Sequence, residues 1–150
     1  MHVSGDWGEP ELRAFLTSED GRVPLRLACR TPKGGLWMLS LWYRWRDGGF
    51  DCATSASADV VEYLAHDEDV AFEVSVNEPP YYGVRGAGVA AVSPDEDKQL
   101  LRSLLDRYLG GTDSALAGQL LREEREEVHI RVEPAQVYAW DFSDRMPGES

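Results

Sequence analysis

Residues 36–54 limit the folds open to this chain more than any other stretch. Two apolar runs flank Arg46, Asp47, Gly48 and Gly49. A short glycine-containing turn between such runs signals a β-hairpin, because glycine reaches positive φ without steric cost. Side chains alternate faces along a strand, so Trp37, Leu39, Leu41, Tyr43 and Trp45 share one face, which is expected to be buried. The opposite face carries Leu36, Met38, Ser40, Trp42 and Arg44. It is too apolar for open water and too polar for a sealed core, so a second protein layer, a subunit interface or a flat aromatic ligand is expected to cover it.

The rest of the chain supplies partners for this hairpin. After a loose start at residues 1–7, Leu12, Phe15 and Leu16 at helical spacing predict a helix over 8–16. Val23, Leu25, Leu27 and Cys29 then alternate with Pro24, Arg26, Ala28 and Arg30, the pattern of a first strand. Beyond the hairpin, Ser57 reads as the N-cap of a short helix that buries Val60, Val61 and Leu64. Val70, Phe72, Val74 and Val76 point inward from the next strand. A strand over 81–92 carries Gly83, Gly86 and Gly88, and glycines there mark a bulge, a barrel corner or close backbone approach. Ser93, Pro94 and Glu96 spell a helix start. Leu100, Leu101, Leu104, Leu105 and Tyr108 give that helix its apolar face, and Gly110 and Gly111 end it. A helix over 114–124 is expected to bury Leu116, Leu120 and Leu121. A strand burying Val128, Ile130 and Val132 is expected to stop at Pro134. The last strand, over 137–142, has Tyr138, Trp140 and Phe142 on one face. The expectation is a single, mainly β domain over 1–150, with loose ends at 1–7 and 143–150. About seven antiparallel strands, connected by roughly three or four short helices, would close into a small barrel and so remove exposed edges.

Charge narrows the partners. Acids outnumber bases 27 to 15, for a net charge of −12, and such a surface repels phosphate backbones and anionic membranes. Neither nucleic acid nor membrane is an expected partner. The only lysines are Lys33 and Lys98; an acidic, lysine-poor composition suits a halophile's cytoplasm, and a coding bias toward arginine also yields it. An anionic ligand would need arginines placed locally, with Arg26, Arg44, Arg46 and Arg85 as candidates on or beside strands. No apolar run approaches the roughly 20 residues of a membrane helix, and the N-terminus lacks a signal-peptide pattern, so a cytoplasmic protein is expected. Cys29 and Cys52 lack CxxC spacing and read as core residues. His2, His66 and His129 show no metal-ligand spacing, so no metal site is expected. The cluster His66, Asp67, Glu68 and Asp69 reads as a solvated turn, and the acid-rich run Glu123, Glu124, Glu126 and Glu127 as solvated surface.

The order of elements carries a resemblance. Residues 22–30, 37–43, 50–54 leading into a short helix, 70–76, Tyr82-Gly83-Val84-Arg85-Gly86 and 134–140 together resemble the pyridoxamine 5'-phosphate oxidase-like FMN-binding split β-barrels. The similarity spans roughly residues 21–142 and rests on element order more than on any single residue. It implies a homodimer with FMN in a groove between subunits, and an oxidoreductase passing hydride to or from a small substrate. It places Thr54, Ser55, Ser57 and Ala58 near the cofactor phosphate and Ser40, Leu41 and Trp42 near its ring. It also brings Trp140 from the closing strand and sets Arg85 at the interface. Where many members carry a lysine or arginine at the helix start, this chain has Asp59 and Val60. Three alternatives follow: Arg26 or Arg44 meets the phosphate, the cofactor is a deazaflavin, or the barrel has lost its cofactor and acts as a dimeric binding module. A barrel for another apolar ligand, built on Trp37, Trp42, Trp45 and Trp140, is a further reading.

Overall fold

The structure is a computed structural model that describes residues 1–122 and 124–145. The expectations for Glu123 and for residues 146–150 lie outside the described residues. The elements are β1 (His2–Gly5), α1 (Glu9–Thr17), β2 (Leu25–Arg30), β3 (Leu36–Leu41), β4 (Tyr43–Arg46), β5 (Gly49–Ser55), α2 (Asp59–His66), β6 (Asp69–Ser75), β7 (Tyr82–Pro94), α3 (Gln99–Leu109), α4 (Ala115–Leu120) and β8 (Glu127–Asp141). They form one eight-stranded sheet in the order β3-β2-β6-β7-β8-β5-β4, with β1 added on β8. The β1–β8 pairing is parallel and the others are antiparallel.

The hairpin expected from the sequence is present. Asp47 and Gly48 have φ of 52° and 73°, the left-handed pair that a two-residue hairpin turn needs, and Arg46 faces Gly49 across it. The incoming strand, however, breaks at Trp42. Before the break it pairs with β2, and after it with β5. Since β3 and β4 are the two ends of the strand order, this joint links one end of the curled sheet to the other. The result is the mainly β split barrel that the sequence predicts.

Alternation fills the interior: Leu25 and Leu27 from β2, Tyr43 from β4, Phe50 and Cys52 from β5, Val74 from β6, Val84 from β7, and Ile130 and Val132 from β8 are all buried. Helix α1 covers one end with Leu12, Phe15 and Leu16, and α2 adds Val60 and Leu64. Full burial of one such leucine contributes about 2 kcal/mol, so packing more than helix propensity holds these short helices in place.

Several expectations are corrected. Residues 2–5 are not loose, because their backbone pairs with residues 136–139 of β8; four residues were too few to show an alternation. Trp37 is 40% exposed, since β3 stands at the end of the strand order, and its indole meets the edge of Tyr63 at 5.6 Å and 77°. Ala58, not Ser57, is the N-cap of α2, and the Ser57 hydroxyl instead shares a 2.9 Å hydrogen bond with Ser55. Ser93 and Pro94 remain in β7, while the Asp95 carboxylate accepts from the Leu100 and Leu101 N–H groups at 3.0 Å each. Helix α4 is shorter than expected and buries Ala117, leaving Leu116 46% exposed. Pro134 does not end its strand. The register shifts between Ala87 and Gly88, passing from Gln136 to Pro134, and such a bulge accommodates a residue without an N–H.

At Gly86 the backbones of β7 and β8 approach closely. A Cβ there would lie 2.1 Å from the Gln136 carbonyl oxygen and 2.8 Å from the Phe72 ring. Gly86→Ala is expected to destabilise the fold by about 2 kcal/mol, read as a lower denaturant midpoint at unchanged slope. An unchanged midpoint would show that β7 and β8 can separate at no cost.

Candidate functional site

The outward side chains of the sheet form rows that can be followed strand by strand. One row runs Ser40, Arg26, Glu73, Arg85, Tyr138 and Ser4, across β3, β2, β6, β7, β8 and β1. The next runs Met38, Ala28, Ala71, Ala87, Gln136 and His2 across the same strands. In this second row three consecutive strands present only a methyl group. The result is a flat floor about 10 Å across, from the spacing of neighbouring strands. A cleft of about 560 Å³ lies over it, lined among others by Arg26, Ala28, Ala71, Arg85, Ala87 and Tyr138. A second cleft, of about 500 Å³, adjoins it along Ala28, Ala71, Ala87 and Gln136 and reaches Leu36 and Val89. Leu36 and Met38, on the rim, are 84% and 67% exposed. The half-polar face noted in the sequence is thus uncovered within one copy of the chain at its β3 end.

The residues that the resemblance placed at a cofactor fall into separate groups. Ser40 and Arg85 share the first outward row, and Trp140 is beside Arg85: the Arg85 guanidinium lies over the Tyr138 ring at 4.9 Å and the Trp140 ring at 5.3 Å. Leu41 points into the core and is buried. Trp42 stacks flat on Tyr108, with centroids 5.1 Å apart and planes 8° apart, and packs against the cluster of Leu101, Leu105 and Ala117. Thr54, Ser55, Ser57 and Ala58 lie together where β5 runs into α2. There a cleft of about 520 Å³ is lined by Ser55, Ala56, Ser57, Arg122, Glu124, Arg125 and Glu126. The sequence did not reveal that Arg122 and Arg125 arrive beside these serines; they come from the connection before β8, far along the chain. The alanine floor was missed for a related reason. Ala28 and Ala71 were visible as outward residues, but only the register aligns them with Ala87.

Of the arginines proposed as substitutes for the missing cation, Arg26 lines the large cleft. Arg44 is committed elsewhere: its Nε donates to Asp51 Oδ2 at 3.1 Å and its Nη1 to Ser103 at 3.2 Å. Asp51, with a side chain only 4% exposed, also meets His129 Nε2 at 2.7 Å and Arg131 Nη1 at 3.1 Å. Burial pushes the Asp51 pKa up, but hydrogen bonds from His129, Arg44 and Arg131 outweigh it and hold the carboxyl below its ordinary value. This cluster joins β4, β5 and β8 to α3 and reads as structural. Glu127 contrasts with it. Its side chain is fully buried and bonded through Oε1 to Arg125, Oε2 has no partner among the described residues, and burial raises its pKa. Cys29 and Cys52 are buried free thiols, and burial pushes both pKa values up. Among the described residues no cluster of three or more His, Cys, Asp or Glu side chains is placed to hold a metal ion.

Asp51→Asn is expected to cost about 3 kcal/mol at pH 7, because it leaves partly buried cations without their carboxylate. The Asp51 contribution should be fully present above the unfolded pKa near 4 and lost as pH falls through the lower folded value. Denaturant midpoints of the two proteins should therefore converge in acid. A gap that stays constant from pH 7 to pH 3 would contradict this assignment.

No protein-family model and no curated protein sequence matches the chain. Solved structures do. A conserved hypothetical protein from Mycobacterium tuberculosis superposes with a TM-score of 0.76 at 24% identity, over 98% of this chain and 93% of that one. An F420 reductase superposes with a TM-score of 0.64 at 20% identity, over 88% and 97%. A candidate pyridoxamine 5'-phosphate oxidase from Listeria innocua gives 0.65 at 14% identity, over 87% and 96%. An FAD-binding protein from Mesorhizobium loti and a heme storage protein from Vibrio cholerae share the same architecture. These likenesses, with the strand order and curled sheet above, establish that the chain has the split-barrel fold of the pyridoxamine 5'-phosphate oxidase-like proteins.

Proposed function

We propose that this protein is a cytoplasmic homodimer that binds a flavin-type cofactor, FMN or a deazaflavin, and acts as an oxidoreductase passing hydride to or from a small substrate. The observation that carries the reading is the alanine floor. Three methyl-bearing positions in register leave an apolar platform of tricyclic-ring size, and polar groups stand only at its rim, as small-molecule sites require. Two solved proteins of this fold, an F420 reductase and an FAD-binding protein, support a flavin-type ligand by name.

A second copy of the chain completes the site in this reading. Its apolar surface covers Leu36 and Met38, whose exposure is otherwise unfavourable. The Thr54, Ser55, Ser57 and Ala58 group of one copy receives the phosphate, while the floor of the other carries the ring, near its Ser40, Arg85 and Trp140. Arg122 takes over from the cation absent at Asp59 and Val60. Arg125 is already bonded to Glu127, and Glu124 and Glu126 in the same cleft keep the local field from becoming strongly positive. Leu41 and Trp42 serve the ring indirectly, through the core and the α3 contact.

The cofactor, when bound, supplies the redox chemistry, and the protein supplies orientation and exclusion of water. The floor fixes the plane of a bound ring, and the facing subunit keeps water from its open side. Ala71→Phe tests this placement, because Ala71 is exposed and at the centre of the floor. Retention of added FMN or deazaflavin in equilibrium dialysis should weaken at least tenfold at an unchanged melting temperature. Unaltered retention would remove the floor as the ring site.

A further inference from the structure

Glu127 stands directly opposite Ser55 in the pairing of β8 with β5, and residues so paired share one face of a sheet. That face carries the cleft lined by Ser55, Ser57, Arg122 and Arg125. The Glu127 side chain is fully buried, Oε1 is bonded to Arg125, and Oε2 has no partner among the described residues. A buried carboxyl with an unpaired oxygen is costly while ionised and far less so once protonated. The Arg125 bond uses Nε. Among the described residues the two terminal nitrogens of that guanidinium carry no hydrogen bond, and Arg125 lines the cleft.

Backbone bonds hold the groups around Glu127 in place. The Asp95 N–H donates to the Glu127 carbonyl at 3.0 Å, and the Asp95 carboxylate is bonded to the start of α3. Lys98 Nζ donates to the Leu121 carbonyl at 3.2 Å and to that of Arg122. The Ala56 N–H donates to the Glu126 carbonyl at 2.9 Å. The arginine segment is therefore tied to α3 on one side and to the serine turn on the other. Glu124 and Glu126 line the same cleft, β5 faces Glu127 with the uncharged Ser55, and His129, two residues on along β8, is held by Asp51. Burial raises the Glu127 pKa and the nearby Asp95 charge adds to it, while the Arg125 and Lys98 cations lower it by less.

We propose that an anion entering the cleft of Ser55, Ser57, Arg122 and Arg125 drives uptake of a proton at Glu127, so that the site holds its anion more tightly as pH falls. The proposal rests on the proposed function for the identity of that anion, the cofactor phosphate. While Glu127 is ionised, its charge offsets Arg125 and, with Glu124 and Glu126, opposes an incoming anion. Once Glu127 is protonated, the Arg125 charge is uncompensated and its terminal nitrogens can meet an oxyanion in the fork geometry that guanidinium favours. Linkage is reciprocal. The anion stabilises the protonated form, so affinity is flat above the Glu127 pKa of the bound protein, rises as pH falls through that value, and levels off below the pKa of the free protein.

The test is calorimetric titration of the full-length protein with sodium sulfate, whose own charge is constant from pH 8 to pH 5, at fixed ionic strength. Affinity is expected to rise about tenfold across that range. Titrations repeated within the rise in two buffers of different ionisation enthalpy should show net proton uptake, a reading that needs no variant. Glu127→Gln, close in shape to the protonated side chain, should bind sulfate at pH 8 about as tightly as the wild type does at pH 5, with no uptake. Arg125→Gln should bind weakly at both. Melting temperatures establish that each variant is folded. Absence of sulfate binding, binding without proton uptake, or uptake that persists in Glu127→Gln overturns the inference; persistence there with loss in His129→Gln moves the coupling to the Asp51 cluster. Flavin retention is measured separately. A protein that retains no flavin yet takes up a proton with sulfate loses the proposed function and keeps this inference, whereas retained flavin with pH-independent sulfate binding does the reverse.

Discussion

Tyr43 is the pin on which the barrel closes. It follows the break at Trp42, where the chain leaves β2 and takes up β5, and its side chain is fully buried. A buried phenol needs a partner, and this one donates to the Gly21 carbonyl at 2.5 Å, with the Leu16 carbonyl at 3.3 Å. Arg107 of α3 reaches the same two carbonyls at 3.0 and 3.1 Å and lies over the Tyr43 ring. One residue thus ties the end of α1, the start of β4 and the last turn of α3. Burial drives the phenol pKa far above its ordinary value, so it stays a neutral donor. Trp42, its neighbour, is stacked on Tyr108, whose hydroxyl donates to the Val23 carbonyl at 2.9 Å. The aromatic pair at the joint is therefore committed to closure, which is why Trp42 is absent from the outward cleft.

Closure determines what remains for function. With α1, α3 and α4 occupied at the barrel end and on the β4–β5 side, no element among the described residues covers the outer face of β3, β2, β6 and β7. Its middle is lined with alanines and its rim with Met38, Leu36, Arg26 and Arg85. Small residues there cost little to leave exposed, whereas Leu36 and Met38 lose a favourable burial unless something lies against them. The same face offers an apolar plane with two guanidiniums at its rim.

Strong local signals carried most of the fold. The Asp47–Gly48 turn, the alternation of Leu25, Leu27 and Cys29, and that of Val70, Phe72 and Val74 each reported their burial correctly, because period-two patterning reflects a single buried face. Where a polar residue had two possible tasks, the sequence misled. Ser57 and Ser93 look like helix caps, yet Ser57 bonds to Ser55 and Ser93 stays in β7, because the sheet claims the backbone there. The candidate site was legible only in pieces. Arg85 and Ser40 were identified singly, and the resemblance gave their neighbourhood. Their union with Arg26 and Tyr138 in one row depends on the pairing of five strands, which no local pattern encodes. Arg122 beside Ser55 and Ser57 is likewise a product of how β8 returns along β5.

The account is tested most directly by sedimentation of the full-length protein after incubation with FMN or a deazaflavin and removal of the free excess, followed by absorbance in the visible cofactor band. It predicts a dimer mass with cofactor sedimenting at about one per subunit. A colourless monomer would contradict it, since both the paired face and the alanine floor would then be without their assigned occupants.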